Sequence, residues 1–135
     1  MPLKIGSRLL APFFMAAIWF FSSHSTLPDI KGIIGWDKFQ HLFAYMVLAL
    51  SVGLWFSFEQ WRTRRLLCLL VCVGIVSIYG GIDEIHQYFV PGRDCNVWDW
   101  IADTIGAFLG TLVMIPAASL LKSKMCKVER NGRED

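Results

Sequence analysis

Four apolar stretches constrain the fold of this chain more than any other feature. A membrane helix needs about 20 mostly apolar residues, with about 17 near the lower limit, and the stretches approach or exceed that length when their polar end turns are included. Backbone groups in lipid must be hydrogen-bonded within their own segment, so each stretch is predicted to be helical. The predicted spans are residues 9–23, 39–58, 66–82 and 98–121.

The predicted fold is all-α: a four-helix transmembrane bundle in one domain, residues 1–121, followed by a charged tail, residues 122–135. We predict this tail to be disordered. Apolar residues make up 55% of the chain and charged residues 18%, against about 45–50% and about 25% in soluble domains. The alternative is a soluble helical bundle, whose helices would need polar faces. Residues 46–54 and 66–76 have none.

Basic residues are divided unequally between the two sides of the predicted bundle. Ten Lys and Arg flank the start of span one, the loop between spans two and three and the tail, and three lie on the other side. Both termini of this multi-pass protein are therefore predicted to be cytoplasmic. Span one is alternatively a cleaved signal peptide that follows Lys4 and Arg8, although bulky Trp19, Phe20 and Phe21 occupy the expected cleavage region.

Polar residues gather at the extracytoplasmic ends of spans two, three and four, where they are costly and therefore functional candidates. Asp37, His41 and Tyr45 are four residues apart and share one helical face. Asp83 and Gln87 share a face of span three in the same way. The candidate catalytic residues, if the protein is an enzyme, are His41, Asp37, Asp83 and Glu84, and the candidate ligand-binding residues are Lys38, Tyr45, Gln87, Arg93, Asp99 and Asp103.

Span four carries its two aspartates on a face suited to close helix packing. Asn96 is a favourable N-cap, which puts Asp99 at the third helical position. Asp99, Asp103, Gly106 and Gly110 fall within roughly 60° of one another, and a GxxxG pair lets a neighbouring helix approach closely. We therefore predict that both carboxylates point into the bundle.

Simpler roles exist for individual residues of this group. Asp37 and Lys38 are also typical of a membrane interface, Asp99 of a helix cap, and Tyr45 of an interfacial aromatic belt. These roles do not require three helices to bring titratable groups to one depth. The shared depth therefore favours a functional role for these residues together.

The same residues carry a family resemblance. The pattern is similar to that of the VanZ-like family, small multi-span membrane proteins named for a protein that gives bacteria low-level resistance to teicoplanin. The resemblance implies a multi-pass protein of the bacterial inner membrane. The resemblance covers roughly residues 8–120, and it departs from the family at Asp103, where Asn is usual. The matching residues are Asp37, Lys38, His41, Tyr45, Asp83, Glu84, Gln87, Arg93, Asp99 and Gly106.

The first functional hypothesis is an extracytoplasmic polar pocket that binds or processes a cell-envelope molecule, such as a lipid-linked headgroup or a glycopeptide. His41 would act as a general base oriented by Asp37, and Arg93 would hold a phosphate or carboxylate. The resemblance suggests a contribution to glycopeptide resistance but does not require one. Whether the protein is an enzyme is left open.

The second hypothesis is a structural or accessory membrane protein, in which a buried polar network fixes helix packing. Proton or ion movement is a third and less favoured hypothesis, because spans one to three have no ionisable residue at mid-membrane. Membrane lipids are expected partners, and nothing indicates nucleic acid. No cofactor is implied. Carboxylates alone would prefer Mg or Ca, and adding His41 or His86 would suit Zn or Mn, but no metal site is predicted.

Overall fold

The computed structural model describes residues 5–24 and 35–131, with side chains for residues 6–24 and 35–116. This part of the chain contains helices and no strand, which confirms the all-α class. Two helical segments, Arg65–Tyr88 and Val97–Pro116, are long and apolar enough to cross a membrane by length and composition. The helices are α1 (Ile5–Arg8), α2 (Leu10–Ser22), α3 (Trp36–Gly53), α4 (Phe58–Thr63), α5 (Arg65–Tyr88) and α6 (Val97–Asn131).

The helix at predicted span two ends earlier than expected, at Gly53 instead of residue 58. A capping box begins α4 at this point: Ser57 Oγ accepts from the Gln60 backbone N–H, and Gln60 Oε1 accepts from that of Ser57. Trp61 Nε1 donates to the Gly53 carbonyl at 3.0 Å. Both interactions supply partners to backbone groups that a helix end leaves open, so they favour a break here.

Helix α6 begins at the predicted N-cap but ends later than predicted. The Asn96 side chain accepts from the Trp98 backbone N–H at 3.0 Å, which confirms the predicted cap. The helix then continues to Asn131, so most of the tail that we predict to be disordered is helical, and residues 132–135 lie outside the described residues. No glycine or proline lies between Pro116 and Asn131, which removes the strongest helix breakers.

Helices α3 and α6 approach each other closely at two glycines of α6. A Cβ at Gly106 would collide with the Leu42 carbonyl oxygen, and one at Gly110 would collide with that of Met46. The residue numbers rise together on both helices, from Leu42 and Gly106 to Met46 and Gly110, so the two helices run in the same direction. The predicted close approach at the GxxxG pair is confirmed.

Helices α2 and α5 run opposite to α3 and α6. Tyr79 on α5 donates to the Met15 carbonyl of α2 at 2.7 Å, and Ser22 at the end of α2 contacts Asp83. Ala11 is fully buried, so α2 is an integral part of the bundle. Helices α2 and α5 therefore end where α3 and α6 begin. We call this the polar end.

The outer faces of α5 and α6 are apolar and exposed. Monomeric soluble proteins rarely expose contiguous apolar patches larger than a few hundred Å². Large exposed side chains along these two helices include Leu66, Leu67, Leu70, Ile78, Ile82, Ile85, Ile105, Phe108, Leu109, Leu112 and Val113.

Candidate functional site

A cavity of about 250 Å³ lies at the polar end, between α2, α3 and α5. It brings together titratable groups from separate segments: Asp37 and His41 of α3, Asp83 of α5, and Arg93 from the loop before α6. The full lining is Ile18, Phe21, Ser22, Asp37, Gln40, His41, Ala44, Tyr45, Asp83, Gln87 and Arg93.

Asp83 is the fully buried carboxylate of the cavity wall. Its Oδ2 accepts from Ser22 Oγ at 2.7 Å, from Tyr45 OH at 3.2 Å and from Gln87 Nε2 at 3.1 Å. The three donors come from α2, α3 and α5, so one oxygen joins three helices. Asp83 Oδ1 has no hydrogen-bond partner among the described residues.

Arg93 is positioned by the turn between α5 and α6. The Arg93 backbone N–H donates to the Val90 carbonyl at 3.1 Å, and Gly92 adopts a φ of 81°, which glycine accommodates without strain. Arg93 Nη2 then donates to the carbonyls of Phe21 and His24 at the end of α2, at 3.2 and 2.9 Å. Its buried Nε has no partner in the described part of the chain. This turn holds the guanidinium at the cavity.

A second set of polar residues faces α6. Lys38 Nζ lies 2.6 Å from Asp99 Oδ1, His41 Nδ1 lies 3.0 Å from Asp103 Oδ1, and Glu84 Oε2 accepts from the Asn96 backbone N–H at 2.9 Å. Lys38 precedes the predicted start of span two, and its hydrogen bond to Asp99 raises the pKa of the Lys38 ammonium above its ordinary value. We call these five side chains the bridge network: Lys38, His41, Glu84, Asp99 and Asp103.

Asp103 is fully buried, and Gly80 gives it room. A Cβ at position 80 would come within 2.9 Å of Asp103 Oδ2 and 3.2 Å of Tyr45 Cε1. The predicted inward direction of Asp99 and Asp103 is therefore confirmed, because both carboxylates contact α3.

The prediction that Asp37 orients the His41 ring is wrong. Asp37 Oδ2 lies 3.3 Å from Lys38 Nζ, and it is Asp103 that contacts the His41 ring. The side chain of Asp37 is 57% exposed at the first turn of α3, whereas that of Asp103 is buried against the ring. The shared face of Asp37, His41 and Tyr45 is confirmed, since all three line the cavity.

One group of side chains has the spacing to hold a metal ion. His41, Glu84 and Asp99 each offer one ligand atom within 4.8 Å of the others. The Lys38 ammonium already contacts Asp99, so a metal ion would compete with a cation supplied by the protein. His86 lies apart from this group: its ring stacks on Trp19 with centroids 3.9 Å apart.

Sequence reasoning missed the contribution of α2. Ser22 supplies the shortest hydrogen bond to Asp83, and Ser23 Oγ lies 2.9 Å from His86 Nε2. The available signal was a pair of serines at the end of predicted span one that we expect to be extracytoplasmic, at the same predicted depth as the acidic residues. Gln40, which also lines the cavity, had a comparable signal as a polar residue in the first turns of span two.

The family model described as VanZ/LLP1 matches residues 5–121. The chain belongs to the VanZ/LLP1 family. Comparisons with curated proteins and with solved structures give no match. The VanZ/LLP1 match includes both the cavity wall and the bridge network. The residues of the family pattern that line the cavity are Asp37, His41, Tyr45, Asp83, Gln87 and Arg93.

Proposed function

We propose that this VanZ/LLP1 protein is a four-span protein of the bacterial cytoplasmic membrane whose cavity binds a lipid-linked headgroup of the cell envelope. One observation carries the proposal: two carboxylates, an imidazole and a guanidinium line a single cavity at the polar end. Titratable groups are costly near a membrane and are retained there mainly for function.

The membrane assignment is supported by how little of the apolar helices is covered. Only 28% of the apolar window of α5 and 44% of that of α6 is buried inside the protein, whereas a core helix of a soluble protein is mostly buried. The apolar helix Gly6–Ser22, which includes α2, supplies a third span. Helix α3 supplies the fourth, which begins at Phe39 and continues through the turn at residues 54–56. The distribution of basic residues then puts both termini in the cytoplasm and the polar end outside.

The size and chemistry of the cavity favour a headgroup. Pockets for drug-sized ligands measure about 300–1,000 Å³, so about 250 Å³ suits a headgroup better than a whole glycopeptide. Arg93 is suited to a phosphate. The apolar residues Ile18, Phe21 and Ala44 of the lining are suited to the first part of a lipid chain.

Filling the cavity tests the proposal. Ala44→Phe puts a phenyl ring into the lining, and Ala16→Phe makes the same change at an exposed position of α2. We expect the wild type and Ala16→Phe to co-purify a defined envelope lipid, measured by mass spectrometry of the extracted lipids. Ala44→Phe should retain about one-fifth or less of it, with unchanged helical circular dichroism, since a filled pocket excludes its ligand. Equal lipid content in all three proteins would contradict the proposal.

Hydrolysis or transfer at the headgroup is a second candidate, favoured by the contact between His41 and Asp103 at the cavity. With the hydrogen on Nδ1 donated to Asp103, Nε2 of the neutral ring is available as a base. In this case His41→Gln should abolish headgroup release from the co-purified lipid while the fold is kept. Full release by His41→Gln would remove this mechanism.

A structural or accessory role is the remaining candidate, favoured by the bridge network. Such a network fixes the register of helices without any ligand. If Asp99→Ala prevents folding while Arg93→Gln changes neither lipid content nor cell phenotype, the structural role is favoured.

A contribution to glycopeptide resistance follows only if the bound molecule limits access of the antibiotic to its target. Teicoplanin susceptibility should then change between cells that express the wild type and cells that express Arg93→Gln. Equal susceptibility at equal protein levels would separate this protein from resistance.

A further inference from the structure

Two buried polar atoms of the cavity wall lack a hydrogen-bond partner among the described residues: Asp83 Oδ1 and Arg93 Nε. Both residues line the same cavity. Buried polar groups in folded proteins are hydrogen-bonded in the great majority of cases, so each exception needs an explanation. An unpartnered acceptor and an unpartnered donor in one cavity point to a ligand that completes both.

The two atoms need partners of opposite kinds. Asp83 Oδ2 already accepts from three donors, so the carboxylate acts as an acceptor and its Oδ1 needs an N–H or O–H. The Arg93 guanidinium has only N–H donors, so its Nε needs an acceptor such as a phosphate oxygen. The complementary ligand carries both functions on one small group.

The charges of the lining narrow this class. Asp37 and Asp83 supply two carboxylates, Arg93 supplies one guanidinium and His41 supplies one imidazole. A purely anionic headgroup would face both carboxylates, and a purely cationic one would leave the guanidinium unpaired. A zwitterionic headgroup matches both charges of the wall.

We infer that the cavity takes a phosphoethanolamine headgroup, with its phosphate at Arg93 and its primary ammonium at Asp83. The inference rests on the proposed function, because it names the chemical class bound in that same cavity. A quaternary ammonium has no N–H and leaves Asp83 Oδ1 without a donor. Apolar Ile18, Phe21 and Ala44 in the lining favour the lipid over soluble phosphoethanolamine as the source.

The test compares lipids that differ only in the headgroup, on the full chain in detergent. Phosphatidylethanolamine, phosphatidylcholine and phosphatidylglycerol with identical acyl chains are titrated by native mass spectrometry. We expect phosphatidylethanolamine to bind about tenfold more tightly than either of the others, because only it completes both charge-assisted hydrogen bonds. Soluble phosphoethanolamine and phosphocholine are titrated in parallel to identify the source of the headgroup.

Two variants assign the contacts. Asp83→Asn should reduce the preference for phosphatidylethanolamine over phosphatidylcholine to about onefold, whereas exposed Asp94→Asn should keep it. Arg93→Gln should weaken phosphatidylethanolamine and phosphatidylglycerol by about tenfold, whereas Arg62→Gln should not. Arg62 is paired with Glu59 on α4, outside the cavity lining.

The outcomes separate this inference from the proposed function. Equal affinity for the three lipids, with loss of all three in Ala44→Phe, would overturn the zwitterionic class and leave headgroup binding intact. Lipid binding unaffected by Ala44→Phe would contradict both. Binding of soluble phosphoethanolamine alone would support the headgroup chemistry and overturn the lipid source. The lipid comparison on the unmodified chain decides the question even if Asp83→Asn fails to fold.

Discussion

The bridge network and the cavity wall occupy the same end of the bundle, but they differ in how their polar groups are used. In the bridge network, Lys38 pairs with Asp99 and His41 pairs with Asp103, so charged groups of α3 and α6 meet directly. In the cavity wall, Asp83 and Arg93 each keep one buried atom without a partner among the described residues. In the bridge network, Asp103 Oδ2 also has no partner among the described residues, but Asp103 does not line the cavity.

One cluster of polar residues therefore need not serve a single purpose. Charged pairs that bond to each other fix the positions of their helices. Removing one partner leaves the other buried and unpaired, which lowers the free energy of unfolding. Groups that remain open are available to a ligand. We therefore expect variants of the buried carboxylates Asp99 and Asp103 to lose the fold first, and variants of Arg93 to lose binding first.

The largest effect is expected where α3 and α6 touch. Gly106→Leu forces a side chain into the Leu42 carbonyl and should destabilise the bundle by about 3 kcal/mol or more, since backbone cannot give way as a side chain can. Gly74→Leu is the matched control, because a Cβ there meets nothing within 4 Å. Size-exclusion chromatography and thermal unfolding report the outcome, and a stable Gly106→Leu protein would show that the helix contact is not essential.

The next largest effect is expected at Asp103. Asp103→Leu removes the partner of His41 Nδ1 and should cost about 2 kcal/mol, as expected when a buried polar group loses its hydrogen bond. Asp103→Asn keeps an oxygen acceptor at the same place, so it should cost less than about 1 kcal/mol. Denaturant unfolding distinguishes the two variants. Equal losses would mean that the negative charge, and not the acceptor, is required.

A smaller effect on stability is expected at the cavity wall. Arg93→Gln removes two exposed hydrogen bonds to the end of α2 and should change the free energy of unfolding by less than about 1 kcal/mol. The amount of co-purified lipid should nevertheless fall severalfold. A folded Arg93→Gln protein with a full lipid complement would end the distinction between the two regions.

The smallest effect is expected at high pH. The Lys38 pKa is raised in the folded protein by Asp99, so this pair stabilises the fold fully below the ordinary value of 10.5 and loses that contribution as pH rises through the raised value. The side chain of Lys38 is 38% exposed, so solvent screening keeps the effect small. Unfolding midpoints between pH 8 and about pH 11.5 should fall further for the wild type than for Lys38→Met. Parallel curves would show that the pair does not contribute.

Periodicity was sufficient to predict much of this arrangement. The four-residue spacing placed His41 and Tyr45 on one face, and the glycine pair of α6 correctly indicated a face that another helix approaches closely. The Asn96 cap followed from residue preference alone. These features depend on neighbours within one helix, which a sequence displays directly.

Pairings between helices were harder to predict. The choice of Asp103 over Asp37 as the partner of His41 depends on the rotation of α6 against α3. The sequence of either helix by itself does not determine that rotation. The contribution of Ser22 was missed for the same reason, since a hydroxyl gains meaning only when Asp83 is brought next to it by packing of α2.

Helix α6 has a length with a consequence beyond the cavity. Its 35 residues, rising about 1.5 Å each, extend about 52 Å, whereas the hydrocarbon core of a bilayer is about 30 Å thick. An upright α6 would therefore project about 20 Å past the lipid, and in the proposed orientation that projection lies in the cytoplasm. A cytoplasmic protein that binds this projection would contact the part of α6 that follows Pro116, in the same helix whose other end carries Asp99 and Asp103.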